Sequence, residues 1–366
     1  MKVMTIFGTR PEIIRLNLVM KILDQHCEHI AVHTGQNFEE KLSDIFVREL
    51  DMRPPDIHLG IRSTSFGDQA GQIISRIDDI LEQHKPEKVL ILGDTNSALS
   101  AIVAARRGIP VFHMEAGNRC FDDRVPEEIN RRIVDHASAI LLPYTERSRA
   151  NLIAEGVDSE RIYVTGNPIY EVLNNFEEQI DQSGALEEHS LDPFGYFLVT
   201  VHRAENVGNR DRLVSIFNGL AAIAEKFAKP VLVSVHPRTS YQIDEFSIKP
   251  DTGHIRLLEP MGFFDFVKLE KNALVVLTDS GTVQEECSIF GVPNVTVRDV
   301  TERPETLEAG SNVLSGAGCD SIIRAVSLAI SQPANWVPPP EYMVQNVSQT
   351  VSKIVLGYTS LRRHHS

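Results

Sequence analysis

Short β-branched runs alternate with one-sided helical patterns along this 366-residue chain, and that alternation limits its fold more than any other feature. KVMTIF, HIAVH, KVLIL, IPVFHM, AILLP and RIYVT read as strands in the first half. Between them, segments such as FGDQAGQIISRIDDILEQH repeat apolar residues three and four apart, the spacing of a helix that buries one face. Consecutive β-α-β units pair their strands in parallel and cover the sheet with helices. A polar, acidic stretch over 176–194 interrupts the pattern, which resumes with YFLVTV, PVLVSV, IRLLEP, ALVVLT and PNVTV. A chain of this length exceeds one ordinary core. The expectation is therefore two doubly wound α/β domains, 1–175 and 195–344, joined by a linker at 176–194. The proline-rich PANWVPPPEY leads to a last helix, 345–362, expected to pack back on the first domain.

Composition narrows the partners. The formal net charge of −14 disfavours a nucleic-acid binder or a binder of anionic membranes. No stretch reaches the about 20 apolar residues that span a bilayer, and the start, MKVMTIFGTRPE, lacks the long apolar core of a secretory signal. The four cysteines form no CxxC pair and read as reduced thiols in a cytoplasmic protein, with no metal site.

In parallel sheets of this kind, ligands bind beyond the carboxyl ends of the strands. The polar residues that follow each strand are therefore the informative ones. FGTRPEIIR places Arg10 at a helix N-terminus, where amides and a guanidinium grip phosphate; a capped helix with a surface arginine is the alternative. LGDTNSALS places Asp94 at a strand end, where it serves as a reactive carboxylate or as a plain N-cap. Glu115 ends an apolar strand, where it is partly desolvated, and burial beside other acids makes carboxyls into proton-transfer groups. Glu127 and Glu128 follow Pro126, with Arg131 and Arg132 one turn later; Glu128 and Arg132 read as an exposed pair.

The second half repeats the theme. TVHRAENVGN sets His202 and Arg203 at a strand end, and VSVHPRT sets His236 and Arg238 at the next. LTDSGTVQEE closes a strand with Asp279 and Ser280 and opens a helix at Gly281 and Thr282, whose amides suit a diphosphate. Glu286 follows on that helix, where a carboxylate can accept two bonds from a ribose diol, and Arg298, Glu302 and Arg303 add charge at the same edge. A nucleoside diphosphate in an interdomain cleft is the expected ligand. No GxGxxG, GxxxxGK[ST] or His/Cys metal spacing occurs, so no dinucleotide, ATP machinery or metal is expected.

GTRPE, GDTNS, MEAG, PEEINR, VHRAEN, TDSGTVQEE and RDVTERPE, in this order over nearly the whole chain, resemble the non-hydrolysing UDP-N-acetylglucosamine 2-epimerase family. The resemblance implies two Rossmann-like domains of the glycosyltransferase-B type, a homodimer, a UDP-sugar substrate and no cofactor. It also implies inversion at C2 by loss of UDP, which leaves a 2-acetamidoglycal, and re-addition of UDP. Asp94, Glu115 and Glu127 then match the family's catalytic carboxylates and His202 its catalytic histidine. Arg10, Ser280 and Gly281 fall at phosphate contacts, Thr282 within the UDP site, Glu286 at the ribose, and Phe266 near uracil. Arg15, Arg119, Arg203, His236, Arg238 and Arg303 are further candidate contacts to substrate or phosphate.

The chain also departs from the family pattern. Arg15 stands where Lys is usual, Ala204 where a second Arg is common, Thr282 where Gly is usual, and Asn37 where an allosteric-site histidine often lies. MEAGNRCFDDRVPEE replaces the usual EAGLRT…SPWPEE. These variants resemble the subgroup that acts on UDP-2-acetamido-2,6-dideoxy-L-hexoses and makes UDP-N-acetyl-L-fucosamine for capsules and O-antigens. A UDP-GlcNAc 2-epimerase, a UDP-sugar glycosyltransferase and a non-catalytic UDP-sugar sensor are the rival readings.

Overall fold

The computed structural model describes residues 1–36, 40–63, 65–250 and 253–358, without the side chains of 40–44. Asn37 lies outside the described residues, as does the end of the expected last helix. The chain divides into two compact units, Met1–Asn175 with Glu341–Ser366 and Phe176–Pro340.

The first unit is a six-stranded parallel sheet in the order β3-β2-β1-β4-β5-β6. Its strands are β1 (Lys2–Phe7), β2 (Glu28–His33), β3 (Ile57–His58), β4 (Lys88–Leu92), β5 (Val111–Met114) and β6 (Ile140–Leu142). Every residue of β4, β5 and β6 is buried, as expected where helices cover both faces of a sheet. RIYVT, expected as a strand, supplies only one isolated bridge, Leu141 to Ile162. Its Arg161 instead ends a 3₁₀ turn and reaches back to the carbonyl of Ala139 at 3.0 Å. The last described helix, Val347–Gly357, belongs to this unit: Glu171 accepts from Ser348 N–H at 2.8 Å, and Lys88 donates to the carbonyl of Val355. That ammonium lies at the helix C-terminus, where the backbone dipole favours a cation.

The second unit repeats the pattern with β7 (Phe197–Thr200), β8 (Val231–Ser234), β9 (Ile255–Leu258), β10 (Val275–Thr278), β11 (Asn294–Thr296) and β12 (Asn312–Leu314). Its order, β12-β11-β10-β7-β8-β9, is the same topology as the first sheet. Residues alternate between two cores: Phe197 and Val199 face one, Tyr196 and Leu198 the other. The stretch expected as a linker folds as two short helices, Glu177–Asp181 and Ala185–Glu188, whose Ala185 and Leu186 join the second core. Apolar residues spaced among its acids explain why it packs. Among the described residues, no helix is long and apolar enough to cross a membrane.

Candidate functional site

In each sheet the strand order reverses at one place, between β1 and β4 and between β7 and β10. Ligand crevices of doubly wound sheets open there. The loops after these four strands carry Gly8–Arg10, Asp94, His202–Arg203 and Asp279–Gly281.

At the first edge, Thr9 caps the helix Arg10–His26 and Glu12 completes a capping box. The Glu12 carboxyl accepts from Gly8 N–H at 2.9 Å, Thr9 N–H at 2.7 Å, the Thr9 hydroxyl at 2.8 Å and the Thr95 hydroxyl at 3.0 Å. Burial nevertheless pushes its pKa up to about 7. A β-carbon at Gly8 would collide with the hydroxyls of Thr34 and Ser97, so only glycine lets these loops close. Arg10 is half-buried, with its guanidinium 5.6 Å from the centre of the Phe46 ring.

Asp94 is not the cap of the following turn; Thr95 holds that position. The Asp94 carboxylate instead accepts from Arg131 Nε at 2.8 Å. Glu115 leaves the neighbouring strand with φ of +65°, a conformation that costs a non-glycine residue free energy and clusters at functional sites. Its carboxylate accepts from Asn118 Nδ2 at 3.1 Å and lies 3.8 Å from the guanidinium of buried Arg15. Behind it, His113 bonds Asp135 through Nδ1 and the Gly93 carbonyl through Nε2, both at 2.8 Å. Burial would raise the Asp135 carboxyl, but His113 and Arg119 hold it below its usual range. This brace ties the turns that carry Asp94 and Glu115.

Glu127 is half-buried in the first turn of the helix Pro126–Ala137. Glu128 does pair with Arg132, at 3.3 Å, but only the arginine end of that pair is exposed. Glu128 itself is fully buried, accepts from Cys120 N–H at 3.0 Å and pairs with Arg131 at 2.7 Å. Those donors outweigh burial and hold its pKa down. Arg119, a candidate substrate contact, has its side chain fully buried between Asp135 at 2.8 Å and Glu155 at 2.6 Å. The chain needs it there to balance two carboxylates.

At the second edge, buried Asp279 gathers the loop. It accepts from His202 N–H at 3.0 Å, Arg203 N–H at 2.9 Å and Asn206 Nδ2 at 3.0 Å. Burial pushes its carboxyl above the usual range despite these bonds. The His202 ring stays one-third exposed, with Nδ1 3.5 Å from Asp279 and its centre 5.5 Å from that of His236. His236 is occupied as a helix cap, with Nδ1 accepting from Arg238 N–H at 3.2 Å, and Arg238 is exposed. The helix Gly281–Phe290 starts after Ser280, whose hydroxyl lies 3.0 Å from that of Thr282. A β-carbon on Gly281 would come 2.7 Å from Glu302 Oε1 and 3.4 Å from Arg303 Cζ. Glu302 also binds Arg298 at 2.7 Å and Arg203 at 3.3 Å, while Arg303 binds buried Glu285. Arg303 thus stands at a helix N-terminus, where amides favour an anion, and Glu302 beside it links that edge to Arg203 and buried Arg298. Phe266 is half-buried against the second core, and Glu286 is buried. Among the described residues, no group of three or more His, Cys, Asp and Glu side chains is placed to hold a metal ion.

Two sheets of identical order, with polar loops at both reversals, are the glycosyltransferase-B class of α/β fold. The family model described as UDP-N-acetylglucosamine 2-epimerase matches residues 21–356. The chain is 41% identical over 347 residues to the UDP-N-acetylglucosamine 2-epimerase of Methanocaldococcus jannaschii, covering 93% of this chain and 95% of that one. A crystal structure of the Methanocaldococcus jannaschii enzyme in complex with UDP-GlcNAc and UDP superposes with a TM-score of 0.93 at 37% identity, over 98% of this chain and 100% of that one. A Pseudomonas aeruginosa relative, 36% identical over 337 residues (91% of this chain, 93% of that one), is a UDP-2,3-diacetamido-2,3-dideoxy-D-glucuronate 2-epimerase. The chain belongs to the UDP-N-acetylglucosamine 2-epimerase family, and so to the isomerases.

Proposed function

We propose that this isomerase inverts C2 of UDP-2-acetamido-2,6-dideoxy-L-talose to give UDP-N-acetyl-L-fucosamine, as a cytoplasmic homodimer that supplies capsule or O-antigen synthesis. The coarser part of this reading, a UDP-sugar 2-epimerase, rests on the family. The choice of sugar rests on one observation: Arg15 and Asn118, both departures from the usual family pattern, converge on the carboxylate of Glu115, at 3.8 and 3.1 Å. A changed set of neighbours around one acid–base group fits a changed sugar.

The chemistry follows from the substrate. The C2 proton of an acetamido sugar is a weak acid. Breaking the C1–O bond sends its electron pair to the departing UDP and builds positive charge beside C2. Loss of the C2 proton then gives the glycal. Reprotonation on the other face, with UDP returning to C1, yields the epimer. Asp94, Glu115 and Glu127 carry the protons. His202 meets the charge that develops on the leaving diphosphate, with Arg10, Ser280, Gly281 and Thr282 as phosphate contacts. Arg203 and Arg303 support that charge from the Glu302 cluster. Phe266 takes the uracil and Glu286 the ribose. Arg15, which cannot titrate usefully, places a fixed cation beside Glu115.

The test is product analysis by proton NMR with UDP-2-acetamido-2,6-dideoxy-L-talose and, separately, UDP-GlcNAc. Conversion of the first alone to its C2 epimer is the expected result. Turnover of UDP-GlcNAc alone replaces the proposed substrate with that of the Methanocaldococcus relative. Transfer to an acceptor, or binding without turnover, moves the reading to a glycosyltransferase or a sensor.

A further inference from the structure

Beneath the proposed ribose-binding carboxylate lies a second carboxyl that nothing in the reaction uses. Glu270 lies in the last turn of the helix Phe263–Lys271, one turn after Phe266 and on the same helix face. It is fully buried. Its Oε1 accepts from the Cys287 thiol at 3.3 Å, while its Oε2 is buried without a hydrogen-bond partner. No cation pairs with it among the described residues. Cys287 sits directly beside Glu286, so the Glu270 carboxyl lies against the very turn that presents Glu286.

Two carboxyls in one apolar pocket do not both ionise; one keeps its proton. Glu270 is the more deeply buried and is without a cation. Burial first, then the charge of Glu286, holds the Glu270 carboxyl well above its usual range. A retained proton is also a hydrogen-bond donor, and it answers the question of what the orphaned Oε2 is for. An unpaired buried oxygen costs free energy, whereas a carboxylic acid facing a carboxylate makes a strong, short bond.

We propose that Glu270 is a positioning residue that stays protonated and donates its Oε2 proton to the Glu286 carboxylate, fixing that group for the two hydroxyls of a uridine ribose. The proton fixes one oxygen of Glu286 and leaves the other side of the carboxylate to the diol. The same helix carries Phe266, so the base and ribose contacts are set by one rigid element. This proposal rests on the reading of Glu286 as the ribose acceptor.

The experiment is calorimetric titration with UDP and with 2′-deoxy-UDP on the full chain. Expected affinities favour UDP by roughly 10-fold, the worth of a hydrogen bond to a charged acceptor. In E286Q that preference disappears. In E270L it falls toward parity because UDP binding weakens while 2′-deoxy-UDP binding holds. E270Q restores the preference, since an amide donates where the acid did. A full preference in E270L, alongside its loss in E286Q, overturns the role of Glu270 and leaves the ribose reading standing. A full preference in E286Q overturns the ribose reading and this proposal with it. Should E270L fail to fold, infrared spectroscopy decides: the wild-type-minus-E270Q difference spectrum is expected to show the carbonyl stretch of one protonated, unhydrated acid, since buried acids such as Glu12 are common to both and cancel. No such band in the difference spectrum overturns the proposal.

Discussion

The Thr95 hydroxyl donates to Glu12 Oε1 at 3.0 Å, so a single buried carboxyl joins the loop after β1 to the loop after β4. Its other oxygen holds Gly8 and Thr9 at 2.7–2.9 Å. The candidate phosphate loop and the loop of Asp94 are therefore one mechanical unit.

That unit is pH-sensitive. The folded chain raises the Glu12 pKa from 4.5 to about 7, so the protonated form is the one the fold favours. Stability from this group is full below pH 4.5 and is lost as pH rises through 7, by at most about 3 kcal/mol. Glu12→Gln keeps the shape without the proton: its oxygen takes the Gly8 and Thr9 bonds, and its amide donates to Thr95. Denaturant unfolding across pH 5 to 8 is expected to show the wild type losing stability relative to E12Q. Parallel curves would contradict the assignment.

Glu115→Gln separates binding from chemistry. The amide fills the same space between Asn118 and Arg15 but cannot take a proton. A loss of kcat of at least about 100-fold is expected with UDP affinity unchanged, the pattern of a lost proton-transfer group. Unchanged turnover removes Glu115 from the mechanism.

Much of this site was legible from the sequence because strand-helix alternation fixes where strands end. Arg10, Asp94, Glu115, His202 and Ser280 stand at strand ends for that reason alone. The edge strands β3 and β12, of two and three residues, were too short to show any periodicity. The supports were harder to see. Asp135 meets His113 across 22 residues, and Asp279 meets His202 across 77. Such pairings belong to the tertiary fold and leave no local trace. Glu12 did leave one, since Thr9-x-x-Glu12 is a capping-box spacing. Likewise His113 stands among apolar residues of its strand and Glu270 on the helix face of Phe266 and Val267, the usual sign of a buried bond.

Asp279→Asn disturbs the second edge. An amide can keep one acceptor oxygen, but its NH2 then faces a backbone N–H that already donates. Such a mismatch costs roughly 2 kcal/mol, and each kcal/mol lowers Tm by about 2–4 °C in units of this size. His202 loses its fixed backbone, so kcat is expected to fall with it. A variant with wild-type Tm and kcat would show that the His202 loop does not depend on this carboxylate.

Gly281→Ala tests the anion edge. The new methyl comes 2.7 Å from Glu302 and pushes on the Arg203 and Arg298 pairs that Glu302 holds. UDP affinity is expected to weaken by about 10-fold, the loss of one charge-assisted bond, while uridine affinity, which needs no diphosphate, holds. Equal losses for both ligands would place the glycine outside the phosphate site.

The most direct measurement runs the reaction in D2O with the preferred UDP-sugar and follows C2 by proton NMR. The C2 proton signal is expected to disappear as the epimer forms, with deuterium at C2 and no free sugar released. An epimer that keeps its original C2 proton, or release of free sugar with UDP, would contradict reversible elimination and protonation by this site.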